Sequence, residues 1–109
     1  MGYLSGQQLL EAKDVVIEEV DVPEWGGVIR IKVMSAAELD SYEKSLVEIK
    51  SFKEQKPNIT NRRAKLLVRC ICDEEGRRLF NDSQTDDLGR KNGLILERLH
   101  KVAQRLNKI

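Results

Sequence analysis

The stretch VDVPEWGGVIRIKV constrains the fold most, because it places turn residues between two strand-forming runs. Valines and Ile17 favour a strand over residues 15–22. The second run alternates in polarity, with Ile29, Ile31 and Val33 on one face. The sequence therefore predicts an antiparallel β-hairpin with an apolar face.

The turn of this hairpin is predicted at Gly26 and Gly27, since both glycines can adopt the positive φ that a tight two-residue turn requires. Pro23 lies where a backbone donor is dispensable. Trp25 is costly to leave in water, so it either packs on the core or marks a contact surface. We interpret these four residues as hairpin-forming and as a candidate docking site.

The size and charge of the chain exclude several classes of protein. A chain of 109 residues suits one domain, and 19 basic against 18 acidic residues leave a formal net charge of +1. No overall field therefore attracts nucleic acid or anionic lipid. The first residues resemble no signal peptide and no apolar run approaches a membrane span, so we expect a cytoplasmic protein without membrane contact.

A capping box of the form S-x-x-E, from Ser35 to Glu38, predicts the start of a helix. The apolar positions after it are spaced by three and four residues and form one stripe: Leu39, Tyr42, Leu46 and Ile49. The polar segment 51–61 contains Pro57 and has no periodicity. It is predicted to be a mobile connection.

Residues 61–73 are apolar on most sides and favour a central buried helix. A strand over residues 64–72, followed by a turn at 73–76, is the alternative that the pattern leaves open. Cys70 and Cys72 lack the spacing of a zinc site and are expected to be buried free thiols.

Asn92 is predicted to cap the last helix, after a brief helix that begins at Asn81 or Ser83 and ends at Gly89. The apolar stripe of the last helix runs from Ile95 in steps of four and three residues. It either closes the chain's own core or forms a surface for self-association or a partner. The candidate interface residues are Leu99, Val102, Leu106 and Ile109.

No motif for catalysis, nucleotide binding or metal binding is found. Residues 82–93 match a calcium loop in part, but Asp87 stands where glycine is needed and Gly93 where a glutamate ligand is needed. His100 has no second ligand or nucleophile beside it and is expected on the rim of the last helix. We therefore predict no metal, no cofactor and no enzymatic activity.

The alternative function is that of a small nucleic-acid-binding regulatory protein. The basic residues best suited to this role are an edge formed by Arg62, Arg63, Lys65 and Arg69, together with the pairs Arg77–Arg78 and Arg90–Lys91. Acidic residues are interleaved with the basic ones, and aromatic residues make up only 5% of the chain, so stacking platforms are missing. A solvated surface is the favoured interpretation of this edge.

Together these patterns predict an α+β fold, a two-stranded antiparallel β-hairpin packed with three to four α-helices. Residues 1–13 are predicted to be a flexible segment with room for one short helix around Leu9 and Leu10. Residues 14–109 are predicted to form a single α+β domain.

Three stretches carry a resemblance to a known family: VDVPEWGGVIRIKVMSAAELDSYE, NRRAKLLVRCICDEEGRRLFND and LERLHKVAQRLN. Their order resembles the small tail assembly chaperones of long-tailed bacteriophages and prophages. In that family, V-P-E-W-G-G-x-V-x-V leads into a helix beginning S/T-x-x-E. A buried helix, a D-E-x-G turn with L-F and a final helix ending in R-L-N follow. The resemblance covers residues 14–107.

The resemblance implies a non-enzymatic protein of the bacterial host cytoplasm. Such a protein binds the tape measure protein and recruits tail tube subunits, which are copies of the major tail protein, during tail morphogenesis. The family supplies no catalytic residues. Pro23, Trp25, Gly26 and Gly27 match its pattern only as hairpin-forming residues.

Overall fold

A computed structural model describes the chain at residues 2–51 and 54–109, with the side chains of these residues except 48–57. Within these ranges the α-helices are α1 (Gly6–Glu11), α2 (Ala36–Ser45), α3 (Arg62–Cys70), α4 (Thr85–Gly89) and α5 (Gly93–Asn107). The strands are β1 (Ile17–Val22), β2 (Gly27–Lys32), β3 (Val47–Ser51), β4 (Glu54–Pro57) and β5 (Ile71–Cys72). Short 3₁₀ turns occupy Pro23–Trp25 and Asp82–Gln84.

The main sheet is antiparallel, with β2 between β1 and β5. Val20 pairs with Ile29, while Ile31 pairs with Glu18 in β1 and with Ile71 in β5. The predicted α+β class and the hairpin are confirmed. Two counts differ from the prediction: β5 gives this sheet a third strand, and the described residues form five α-helices where three to four were predicted. The sequence did not reveal β5 because two residues are too few to produce a periodic pattern.

The connection between β1 and β2 differs from the predicted two-residue turn. Val22 pairs with Gly27, so four residues form the loop. Gly26 has a φ of 76° and its amide donates to the Pro23 carbonyl at 3.0 Å. Gly27 lies in β2, and the described glycines with positive φ are Gly26 and Gly76. The prediction of a positive φ at Gly27 is wrong, because the 3₁₀ turn after Pro23 already reverses the chain.

The core lies between the sheet and the helices α3 and α5. Six of the nine residues of α3 are buried, which confirms the predicted central helix. The strand alternative holds for its last two residues, where the chain continues into β5, and for its turn at residues 73–76, where the Gly76 amide donates to the Asp73 carbonyl at 3.1 Å. Cys70 and Cys72 are buried free thiols, as predicted. Leu66, Leu67 and Leu99 are among the fully buried side chains.

The capping box of α2 is confirmed. The Glu38 amide donates to Ser35 Oγ at 3.2 Å, and the Ser35 amide donates to Glu38 Oε1 at 2.9 Å. Glu38 also accepts a bond from Lys32 Nζ at 3.0 Å, which ties the helix start to β2. The helix ends at Ser45, so the prediction that it continues through Leu46 to Ile49 is wrong.

Strands β3 and β4 form a second hairpin, so the predicted connection over residues 51–61 is wrong for residue 51 and residues 54–57. Val47 pairs with Pro57 and Glu48 pairs with Lys56, while residues 52 and 53 lie outside the described part of the chain. Val47 and Ile49 are two residues apart, which suits a strand, but Leu46 and Ile49 also fit a helical step of three. The hairpin shows that the strand spacing prevails here.

The Asn92 cap is present where it was predicted, whereas α4 begins after Gln84 and Asn81 precedes the 3₁₀ turn that leads into it. Asn92 Oδ1 accepts bonds from the amides of Leu94 and Ile95 at 2.9 and 3.2 Å, at the start of α5. The Asn81 amide donates to Gln84 Oε1 at 2.9 Å where the brief helical segment begins. No helix in residues 2–51 and 54–109 has the length and apolar character needed to span a membrane.

Candidate interaction surface

The tip of the β1–β2 hairpin is partly exposed and rigidly positioned. Pro23 opens the 3₁₀ turn and Trp25 closes it, with 38% of the tryptophan exposed to solvent. Between them, Glu24 accepts two bonds from Arg98 of α5, at 2.8 and 3.0 Å. This bidentate pair is the strongest kind of carboxylate contact. The tip is therefore held against α5 with part of its indole in water.

The ion pair also changes the titration of the tip. The hydrogen bonds from Arg98, with a bond from its own backbone amide, lower the pKa of Glu24 to about 2. Glu24 is therefore charged throughout the neutral range, and the contact with α5 persists there.

Two further contacts hold the other end of α5 to the sheet. Arg105 pairs with Glu18 of β1. The Asn107 side chain accepts a bond from the Met34 amide at 2.8 Å and donates to the Lys32 carbonyl at 3.3 Å. Helix α5 therefore lies along the hairpin from the tip to the far end of β2.

The four predicted interface residues of α5 differ in exposure. Leu99 is fully buried, which supports the core interpretation for this position. Val102 and Leu106 are half-buried and pack against the core cluster. Ile109 is 49% exposed, just after the helix. Within this stripe, Ile109 is therefore the side chain best placed to meet a partner.

The N-terminal arm, residues 2–12, exposes apolar side chains. Helix α1 has a complete capping box with Ser5, yet none of its residues is buried. Leu9 and Leu10 are 60% and 84% exposed. The predicted short helix is thus present, but it buries nothing against the rest of the chain.

A cleft of about 470 Å³ opens between the first turns of α3 and α5, and sequence reasoning missed it. We call it the α3–α5 cleft. Arg63 pairs with Glu97 across it. The residues that line the cleft come from two separate stretches of sequence, so no local motif predicts the cleft. Its lining includes Ile59, Arg62, Arg63, Lys91, Leu94 and Glu97.

His100 is buried rather than on the rim of α5, so that prediction is wrong. It is 1% exposed, and neither ring nitrogen has a hydrogen-bond partner among the described residues. Burial lowers its pKa, and the charges of Arg62 and Arg63 lower the pKa further against the opposing effect of Glu97. The buried face of α5 is wider than the apolar stripe that begins at Ile95, and it includes His100 beside Leu96.

Most basic side chains along the edge of α3 form hydrogen bonds or ion pairs within the chain. Arg69 is 4% exposed and donates to Ser41 Oγ and to the Lys65 carbonyl. Lys65 Nζ donates to the carbonyls of Ser45 and Asn58 at 2.9 and 3.3 Å. This edge therefore does not present the exposed basic face that the nucleic-acid interpretation requires.

The cysteines and acidic groups form no evident reactive centre in the part of the chain that the structure describes. Burial raises the pKa of Cys70 to about 12, so its thiol is protonated and a poor nucleophile at neutral pH. Among the described residues, no three His, Cys, Asp or Glu side chains are close enough together to hold a metal ion.

Comparisons with known proteins agree with the resemblance seen in the sequence. A family model described as phage tail assembly chaperone matches residues 7–108, which confirms that resemblance. Among solved structures, the chain is similar to the tail assembly chaperone of bacteriophage HK97. The two share 21% identity and a TM-score of 0.63, over 92% of this chain and 90% of that chain. At this identity the likeness supports the fold alone. The comparison with curated proteins found no match.

Proposed function

Because the chain belongs to the phage tail assembly chaperone family, we propose that it binds the tape measure protein and recruits tail tube subunits during tail assembly. The tail tube subunits are copies of the major tail protein. We place this activity in the host cytoplasm and assign it no catalytic step. The family match over residues 7–108 carries the proposal.

The exposed surfaces of the fold support a binding role. The Glu24–Arg98 pair restrains the hairpin tip, which reduces the loop freedom that Trp25 loses on binding. Tryptophan is enriched among residues that dominate binding energy at interfaces. The N-terminal arm adds exposed leucines that bury nothing within the chain. We therefore assign partner contacts first to the tip.

Co-purification tests the proposal. The chain is co-expressed separately with a tagged tape measure protein and a tagged major tail protein from the same phage. We expect the wild type to be retained by both, and Trp25→Ala to be retained less. Val28→Ala is the matched control, because Val28 is 55% exposed on the same hairpin.

Both variants are first checked by thermal melts. Retention of the wild type by neither tail protein would contradict the proposed function. Equal retention of Trp25→Ala and wild type would instead show that the hairpin tip is not the site of the partner contact.

A further inference from the structure

The α3–α5 cleft carries an excess of positive charge. Three cations, Arg62, Arg63 and Lys91, line it together with one carboxylate, that of Glu97. Arg63 is neutralised by its pair with Glu97. Arg62 and Lys91 form no ion pair with any side chain that the structure describes. Two cations in the cleft are therefore available to an anionic group.

The start of α3 adds to this charge. Asn61 precedes α3 with a φ of 53°, and its side chain makes no capping bond to the first turn. Its Nδ2 donates instead to Asp86 Oδ1 at 2.7 Å. The first amides of a helix carry partial positive charge, which favours an anion beside them. By contrast, Asn92 already caps α5.

The rim of the cleft is apolar. Leu94 is 85% exposed and Ile59 is 72% exposed, and both line the same cleft as the cations. A nucleic-acid backbone would use the cations but would leave these side chains uncovered. A protein segment can supply a carboxylate and an apolar side chain together, so the rim favours a protein.

Helix α5 connects the cleft to the hairpin tip. Leu94 lies one turn before Glu97 and Arg98, the residues through which α5 contacts α3 and the tip. A partner seated on Trp25 can therefore extend along the first turns of α5 into the cleft. The chain's own arm is a poorer occupant, because residues 2–12 contain a single acid, Glu11.

We infer that the α3–α5 cleft binds an acidic segment of a protein partner, whose carboxylate contacts Arg62 and Lys91 and whose neighbouring apolar side chain covers Leu94. This inference rests on the proposed function, since the partner is one of the tail proteins. It adds the chemistry of the segment that is recognised.

The first test compares two double variants of the full chain. Arg62→Gln with Lys91→Gln removes two cations from the cleft, and Lys13→Gln with Lys44→Gln removes two exposed cations elsewhere. Dissociation constants for the purified major tail protein and tape measure protein are measured at low and high NaCl. We expect the cleft variant to bind one of them about tenfold more weakly, and the control to match wild type. Added NaCl should weaken the binding of wild type more than that of the cleft variant, which has lost two of the screened charges.

The second test uses a probe of known chemistry, so it does not depend on the identity of the partner. A synthetic Glu-Glu-Leu-Glu peptide is titrated into the labelled chain, with Gln-Gln-Leu-Gln as the control. We expect amide NMR shifts at residues 61–64 and 91–94 with the acidic peptide only. If the double variant does not fold, the single variants Lys91→Gln and Leu94→Gln replace it, since both positions are exposed. Each of them should reduce these shifts.

The outcomes separate the two proposals. If the wild type binds neither tail protein but the acidic peptide shifts the cleft amides, the proposed function fails and the cleft chemistry stands. If the peptide shifts nothing at the cleft, or the cleft variant binds the tail proteins as wild type does, this inference is overturned. A cleft variant that loses only self-association in sedimentation, or only duplex DNA binding, overturns it equally.

Discussion

Gly26 and Gly27 are neighbours in sequence but have different backbone requirements. Gly26 has a φ of 76°, which residues with a Cβ rarely adopt, whereas Gly27 is extended within β2 and has open space where the methyl group of an alanine would lie. Gly26→Ala should lower the free energy of unfolding by about 1 kcal/mol or more. Gly27→Ala should leave it near wild type. Chemical denaturation of both variants measures the difference, and equal losses would contradict the assigned turn.

His100 is a second residue whose environment sets a testable property. Its ring nitrogens are buried without described partners, and burial lowers its pKa. The unfolded chain therefore binds a proton more readily than the folded one, so folding stability from this group is complete above about pH 6.5, the ordinary histidine pKa. It declines as the pH falls below that value towards the lower pKa of the folded state.

Replacing the ring isolates this effect. The free energy of unfolding of His100→Leu should fall less than that of wild type between pH 7 and pH 5. The wild type takes up a proton at His100 when it unfolds in this range, whereas leucine takes up none. Urea denaturation of both proteins at each pH gives the difference. Glu97 is coupled to His100, because each group shifts the pKa of the other, so its titration belongs to the effect that is measured. Carboxylates farther from the ring titrate alike in both proteins and cancel in the comparison. Parallel pH curves would show that His100 is not held neutral in the folded state.

At the scale of elements, the sequence predicts best where a cap and a periodic pattern coincide. Ser35 and Glu38 define the start of α2, and Asn92 defines that of α5, because capping depends on side chains within one turn. The end of α2 is missed because Val47 and Ile49 suit strand spacing while Ile49 also continues the helical stripe. β5 is missed because its pairing with β2 is decided by tertiary contact.

Asn107 is one of the residues that hold α5 against the sheet, and its removal should lower the stability of the folded chain. Asn107→Ala leaves the Met34 amide and the Lys32 carbonyl without these partners, which should cost about 1–3 kcal/mol of stability. Lys101→Ala, at an exposed position on the same helix, is the control and should melt like wild type. Thermal melts compare the two. Equal melting temperatures would mean that water replaces the lost bonds.

For the whole molecule, the two surfaces differ in how far the sequence reveals them. The hairpin tip is local, so Pro23, Trp25 and Gly26 indicate it directly. The α3–α5 cleft joins Arg62 to Lys91 and Leu94, residues about thirty positions apart, and only the packing of α3 against α5 brings them together. The order of motifs along the chain nevertheless identifies the family, because it reflects the succession of elements rather than their contacts.

The N-terminal arm should contribute little to the stability of the folded chain, because no residue of α1 is buried. Leu9 and Leu10 are exposed in the folded chain, so Leu9→Gln with Leu10→Gln should change stability by no more than about 0.5 kcal/mol. Leu66 is fully buried, and Leu66→Gln should cost more than about 3 kcal/mol because it buries an amide in the core. Denaturation of both full-length variants tests whether residues 1–13 lie outside the cooperative unit. A large loss in the arm variant would show that the arm packs on the domain, and residues 14–109 would then not be the whole folding unit.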